Sequence, residues 1–141
     1  MMEGLKVRDV MTTQVTTLKR NDKLTLASDV MQLGRIRHLP ILDDSGEQLA
    51  GIVSQRDLFR GALAQALGYG QHASRKLLDT FAVKDVMTTE VITTTPDTPL
   101  VSAARELTER KIGCLPVVEN GRLVGIITEG DFVALVARQG M

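Results

Sequence analysis

Two stretches of this chain place a hydroxyl side chain three residues ahead of a carboxylate, each at the exit of a short β-branched run. One reads Gly51-Ile52-Val53-Ser54-Gln55-Arg56-Asp57-Leu58, the other Gly125-Ile126-Ile127-Thr128-Glu129-Gly130-Asp131-Phe132. The apolar triplets predict the ends of buried strands, and the residues after Asp57 and Asp131 predict a helix. At such a turn Ser or Thr can cap the helix, and Asp gains from the dipole in the first turn. The same turn leaves backbone N–H groups facing outward, which suits a phosphate. A single copy would speak for capping. Two copies inside a longer repeat raise the case for binding.

Other reactive side chains point to no reaction. The two histidines, His38 and His72, lie in different settings, and the chain has no nucleophile elbow, zinc signature or Walker loop. Asp43 and Asp44 sit in a predicted turn, where water solvates them. Cys114 has neither a CxxC partner nor a histidine cluster and reads as a small core residue. No enzymatic activity and no structural metal are expected.

The elements that must position the two stretches emerge from an internal repeat. Val7-Arg8-Asp9-Val10-Met11-Thr12-Thr13-Gln14-Val15 returns as Val83-Lys84-Asp85-Val86-Met87-Thr88-Thr89-Glu90-Val91. The register holds through Arg37-His38-Leu39-Pro40-Ile41 and Gly113-Cys114-Leu115-Pro116-Val117, and two residues drop out in the next turn. Val15-Thr16-Thr17 and Val91-Ile92-Thr93-Thr94 predict short first strands. Asn21-Asp22 and Asp97-Thr98-Pro99 are helix-start signals, succeeded by Leu24, Ala27, Val30 or Met31, and Gly34, and by Leu100, Ala103, Leu107 and the Lys111 stem, at helical spacing. Leu39–Leu42 and Leu115–Val118 predict strands, turned through Asp43-Asp44-Ser45-Gly46 and Glu119-Asn120-Gly121 into Leu49–Val53 and Leu123–Ile127. Final helices run from Asp57 to about Leu67 and from Asp131 to about Gln139. The order is β-α-β-β-α, twice. Met11 and Met87 are expected to fill core or pocket walls, and Gly51 and Gly125 to serve a close approach or a bulge.

Composition bounds the function. The 141 residues suit one compact domain or two small halves sharing a core, and 17 basic against 17 acidic residues create no net field toward nucleic acid or anionic membrane. With no Trp, base stacking on aromatic platforms is disfavoured, and no nucleic-acid or membrane partner is expected. The first residues lack the apolar segment of a signal peptide, no apolar run is long enough to span a bilayer, and the single cysteine suits a reducing compartment. A cytoplasmic location is expected.

The repeated unit, with its "LPV"-type strand and closing Gly-hydrophobic-hydrophobic-[Ser/Thr]-x-x-Asp, resembles the cystathionine-β-synthase (CBS) domain. Two in tandem resemble a CBS pair, or Bateman module, here a stand-alone one. The resemblance covers 7–59 and 83–136. It implies an α/β fold of two β-α-β-β-α repeats packed about a pseudo-twofold axis: repeat one over 1–66, a linker with a short helix over 67–82, and repeat two over 83–141.

The resemblance also implies function. CBS pairs are similar in being regulatory modules that bind AMP, ADP, ATP or S-adenosylmethionine in two clefts between the repeats. The aspartate accepts from the ribose hydroxyls, and the hydroxyl residue lies near the phosphate. Carried over, one cleft would join Thr128 and Asp131 to Thr16, Ile36, Arg37, His38 and Pro40. The other would join Ser54 and Asp57 to Ile92, Ile112, Gly113, Cys114 and Pro116. Arg37 and His38 offer a charged fork and a switchable donor. Gly113-Cys114 offers neither, with Arg56 the nearest substitute, so the Asp131 cleft is expected to be the stronger phosphate site. The family implies a homodimer with an unknown effector protein. Leu58/Phe59/Ala62/Leu63/Ala66 and Phe132/Leu135/Val136 are candidate interface faces, or simply core. The rival reading is a ligand-free homodimerisation or protein-interaction adaptor.

Overall fold

The computed structural model describes residues 4–58 and 78–139. The chain divides into two compact units that do not follow the repeat boundaries. One comprises Met1–Val15 with Ile92–Met141, the other Thr16–Val91. The leading segment of each repeat has therefore joined the body of the other. Repeat two's 3-10 turn Val83–Asp85 belongs with repeat one, and α1 (Val7–Val10) belongs with repeat two.

The Thr16–Val91 unit is built on β1 (Leu18–Lys19), α2 (Leu24–Gly34), β2 (His38–Leu42) and β3 (Leu49–Ser54). β1 runs parallel to β2, and β2 is antiparallel to β3. Helix α2 buries Leu24, Ala27 and Met31, one stripe at helical spacing. It ends where Arg35 turns left-handed at φ 53 and its N–H bonds the Met31 carbonyl. A further helix opens over 55–58. Beyond β3 the sheet gains one more rung, because Ile52 and Thr88 exchange two backbone bonds at 3.0 and 2.9 Å. The backbone groups of Ile52 thus face Thr88, away from its β2 partner Pro40. Proline at position 40 costs no β2–β3 bond, which is how a proline sits fully buried inside a strand.

The other unit repeats the plan with α3 (Leu100–Arg110), β4 (Cys114–Glu119), β5 (Arg122–Thr128) and α4 (Glu129–Arg138). Thr94 bridges β4 in parallel and Thr12 bridges β5 in antiparallel fashion. The β4–β5 hairpin closes through Asn120 and Gly121, at φ 54 and 80, the two-residue turn that asparagine and glycine favour. Helix α3 ends like α2, with Lys111 left-handed at φ 55.

Several boundaries move from those the sequence predicts. The first strand forms at Leu18–Lys19, not at Val15–Thr17, and in the second repeat only Thr94 pairs. Leu18 and Thr94 are the residues that become buried, so burial overrides the β-propensity of the preceding threonines. Asp22 caps a turn rather than the helix, accepting the Lys19 N–H at 2.8 Å, and α2 starts at Leu24. Residues 78–80 are helical where the linker's short helix is expected, and residues 67–77 lie outside the described residues, as do Phe59, Ala62, Leu63 and Ala66.

Where the sequence predicts one shared core, buried apolar residues form two clusters. One gathers Val7, Val10, Leu100, Ala103, Leu107, Leu115, Val117, Ile127 and Leu135. The other gathers Leu18, Leu24, Ala27, Met31, Leu39, Ile41, Val53, Leu58 and Val83. Each cluster is completed by the leading segment of the other repeat. That segment also explains the repeated glycines. A β-carbon on Gly51 would lie 2.7 Å from both the Met87 sulfur and the Thr88 carbonyl, and one on Gly125 would lie 2.8 Å from the Met11 sulfur and 2.9 Å from the Thr12 carbonyl. The Asp-Val-Met-Thr segment crosses its strand at the one residue without a side chain. The expected interface faces contribute to these cores: Leu58 and Leu135 are buried, and Phe132 packs partly against its cluster. Val133 and Val136 stay exposed.

Candidate functional site

The two hydroxyl–aspartate stretches both become helix starts. Thr128, the last residue of β5, is extended at φ −126 and caps α4, which places Asp131 in the first turn. Asp131 Oδ2 accepts the Thr128 backbone N–H at 2.8 Å and its hydroxyl at 3.4 Å. Ser54 and Asp57 form a reciprocal cap: the Ser54 N–H donates to Asp57 Oδ2 at 2.8 Å, and the Asp57 N–H donates to Ser54 Oγ at 3.1 Å. All four residues are half-buried, and each carboxylate is tied to the backbone N–H of its own strand end.

The segment before the "LPV" strand lies directly beside each helix start. His38 is the antiparallel partner of Ser54, and the Gln55 N–H donates to the Arg37 carbonyl at 2.7 Å. Cys114 is likewise the partner of Thr128, and the Glu129 N–H donates to the Gly113 carbonyl at 3.3 Å. Within the Thr16–Val91 unit the structure therefore brings Arg37 and His38 together with Ser54 and Asp57. In the other unit it brings Gly113 and Cys114 together with Thr128 and Asp131. Each of the two residue sets implied by the resemblance draws on both units: Thr16, Ile36, Arg37, His38 and Pro40 belong to the Thr16–Val91 unit, and Ile92, Ile112 and Pro116 to the other. Arg37 is exposed, His38 and Ile36 are half-buried, and Pro40 and Pro116 are fully buried strand residues. Ile92 and Ile112 pack against the core of their unit, while Thr16 is exposed ahead of β1.

Electrostatics sorts these groups further. Burial pushes the Cys114 thiol up to about 12, so it carries no thiolate at neutral pH and no nucleophile. Among the described residues, no three His, Cys, Asp or Glu side chains stand close enough to hold a metal ion, and no helix is long and apolar enough to cross a membrane. Charge-assisted pairing is concentrated elsewhere, where Arg8 donates through Nε to Asp97 at 3.0 Å.

One contact at the site escaped sequence reasoning. The Thr12 hydroxyl donates to Asp131 Oδ1 at 3.1 Å, from a residue 119 positions away. The signal was present in the repeated Asp-Val-Met-Thr, but a repeat does not reveal which body its segment joins. Among the described residues no hydrogen bond joins the counterparts Thr88 and Asp57.

A three-layered edge of leading segment, hairpin and parallel first strand, built twice with a capped Asp-bearing helix, is a tandem CBS arrangement. The CBS domain family profile matches residues 7–64 and 83–138, and the chain belongs to that family. Its fold is similar to that of an acetoin utilization protein (AcuB) from Vibrio cholerae, with a TM-score of 0.82, 38% identity, and coverage of 96% of this chain and 92% of that one. It is also similar to the CBS pair of protein MJ0100, solved with 5′-methylthioadenosine and S-adenosyl-L-methionine, at TM-score 0.78 and 29% identity over 96% of this chain and 98% of that one. A third similar structure is CBSX2 in complex with AMP, at TM-score 0.79 and 29% identity over 98% of this chain and 100% of that one. Among curated relatives, a homoserine O-acetyltransferase of Methanococcoides burtonii is 33% identical over 131 residues. This chain spans only 24% of that relative's length.

Proposed function

We propose that this chain is a regulatory module that binds an adenosyl ligand and signals its presence to an effector protein by a shift in conformation. The ligand is an adenine nucleotide of the AMP, ADP or ATP type, with S-adenosylmethionine as the other candidate. Asp131 and Asp57 accept the ribose hydroxyls, Thr128 and Ser54 lie by the phosphate, and Arg37 and His38 supply charge. Thr16, Ile36, Ile92 and Ile112 line the base, and the fully buried Pro40 and Pro116 shape the strands behind it. The module acts as a homodimer in the cytoplasm, without catalysis. A ligand shifts the population of states only by its differential affinity for them.

The observation that supports this reading best is the duplicated helix start, in which a half-buried carboxylate accepts the N–H of the residue three positions before it. The solved relatives with AMP and with S-adenosylmethionine, similar over nearly their whole length, support the ligand class. Thermal unfolding with AMP, ADP, ATP or S-adenosylmethionine tests it. Ligand at 100 times its dissociation constant adds about 2.7 kcal/mol. Asp131→Asn and Asp57→Asn keep an acceptor for the cap while removing the charge, so the ligand-induced increment is the quantity to compare. One of these ligands should raise the midpoint, with the increment lost in at least one variant.

The same geometry favours a second reading. Cap bonds already use Asp57 and Asp131, so a ligand-free adaptor needs nothing more from them. That reading requires no midpoint shift from any adenosyl compound and an unchanged oligomeric state in both variants.

A further inference from the structure

We infer that Thr12 is a positioning residue for Asp131, making the leading segment part of that binding site and the two sites unequal. The inference rests on the proposed adenosyl binding for its ligand, and on the bonds to the Asp131 carboxylate for its mechanism.

Asp131 is held from two directions. Its Oδ2 takes the Thr128 N–H at 2.8 Å, while its Oδ1 takes the Thr12 hydroxyl at 3.1 Å. Bonds to opposite oxygens fix both the rotamer and the plane of the carboxylate, leaving its remaining lone pairs in set directions. Thr12 is itself fixed. Its N–H and carbonyl exchange bonds with Ile126 at 2.9 Å each, and Met11 sits over Gly125 beside it. Among the described residues, Asp57 has only the cap within its unit, from the Ser54 N–H at 2.8 Å. Thr88 occupies the place of Thr12 and makes the same two backbone bonds, yet sends no hydroxyl to Asp57.

A pre-oriented acceptor loses less freedom when a cis-diol binds it. The consequence is reciprocal: a ligand that tightens Asp131 also tightens Thr12 and its strand, by the same factor that Thr12 adds to ligand affinity. Binding at this aspartate is thereby linked to the docking of residues 7–12, a coupling with no counterpart at Asp57 among the described residues.

The test uses the full chain, AMP as probe, and the variants Thr12→Val, Thr12→Ser and Thr88→Val, each in an Asp57→Asn background so that one site is read. Titration calorimetry should show Thr12→Val weakening AMP, by less than the roughly ten-fold that a whole hydrogen bond to a charged acceptor is worth, because the bond precedes the ligand and only its orienting effect is lost. Thr12→Ser should restore it, and Thr88→Val should leave it unchanged. In parallel, without ligand, NMR scalar couplings should report one χ1 rotamer for Asp131 in the parent and in Thr12→Ser, and rotamer averaging in Thr12→Val. A single rotamer in Thr12→Val overturns the inference, as does averaging with unaltered AMP affinity. If the parent itself binds no AMP, AMP is not the ligand of this site, while the rotamer measurement still decides whether Thr12 positions Asp131.

Discussion

Replacing Gly125 by alanine should destabilise the protein, although every local consideration favours the change. Gly125 is buried in β5 with an ordinary strand conformation, and removing a glycine there would by itself stabilise by about 0.4–1 kcal/mol through the unfolded chain. The new methyl group, however, would lie 2.8 Å from the Met11 sulfur, 2.9 Å from the Thr12 carbonyl and 3.3 Å from Met11 Cγ. The sulfur ends a flexible side chain and can move. The carbonyl cannot, because the Ile126 N–H holds it at 2.9 Å. Overpacking of this kind costs about 1–3 kcal/mol, so the net loss is about 1–2 kcal/mol. Gly51→Ala should cost more, since its contacts are 2.7, 2.7 and 3.0 Å. Urea titration with a shared m-value measures both. A cycle with Met11→Ala separates the two obstacles: most of the Gly125→Ala cost should persist in that background, because the carbonyl remains. Neutral or stabilised Gly125→Ala protein would refute the account of the leading segment, and full rescue by Met11→Ala would refute the role given to the backbone.

Lys111→Gly should stabilise by about 0.5–1 kcal/mol, since the left-handed conformation costs a β-carbon residue about 1–2 kcal/mol and glycine returns part of this as extra unfolded freedom; a raised thermal midpoint checks it. Asp97 lies below its usual carboxylate value chiefly because Arg8 donates to it. Its folded value is depressed, so the stability it contributes is present above the unfolded value near pH 4 and lost as pH falls through the folded one. Asp97→Asn should flatten the acid limb of midpoint against pH in that range. The Cys114 thiol, pushed up to about 12 by burial, should react with iodoacetamide at pH 8 far more slowly in the native protein than in urea; equal rates would contradict its burial.

Much of this was legible in the residues, for reasons that differ by element. The hairpins arise from Asn120-Gly121 and the Asp43–Gly46 turn, and the helical stripes Leu24-Ala27-Met31 and Leu100-Ala103-Leu107 from their spacing, because local chemistry decides both. The two helix starts were legible because a cap spans four residues. The first strand of repeat one forms at Leu18–Lys19, beyond the expected Val15–Thr17, and in repeat two only the last residue of Val91–Thr94 pairs, since Thr-rich propensity is weak beside the burial of Leu18 and Thr94. The partner of Asp131 was not legible at all. A bond from Thr12 depends on which body the leading segment joins, and a repeat read along the chain is silent on that.

That exchange of segments makes a definite claim about where the chain can be cut. A division between the repeats, near residue 82, looks natural from the duplication. It would strip the Thr16–Val91 unit of Val83, which is fully buried, of Val86 and Met87 packed on the same cluster, and of the Thr88 rung on Ile52. Burying a valine side chain is worth about 1.5–3 kcal/mol, and a whole domain holds only about 5–15 kcal/mol. Met87 and four backbone bonds, two between Ile52 and Thr88 and one each from Val83 to Asp22 and from Lys84 to Arg20, add to the loss. Residues 1–82 should therefore unfold without a cooperative transition, exposing Val7 and Val10 as apolar surface, both being core residues of the other unit. Residues 16–91, an awkward cut by sequence, should keep a cooperative transition. Circular dichroism melts of the two fragments decide the matter. If 1–82 were as stable as 16–91, the leading segments would be ornaments on two self-sufficient repeats, and the packing of Met87 over Gly51 would not be what completes the core.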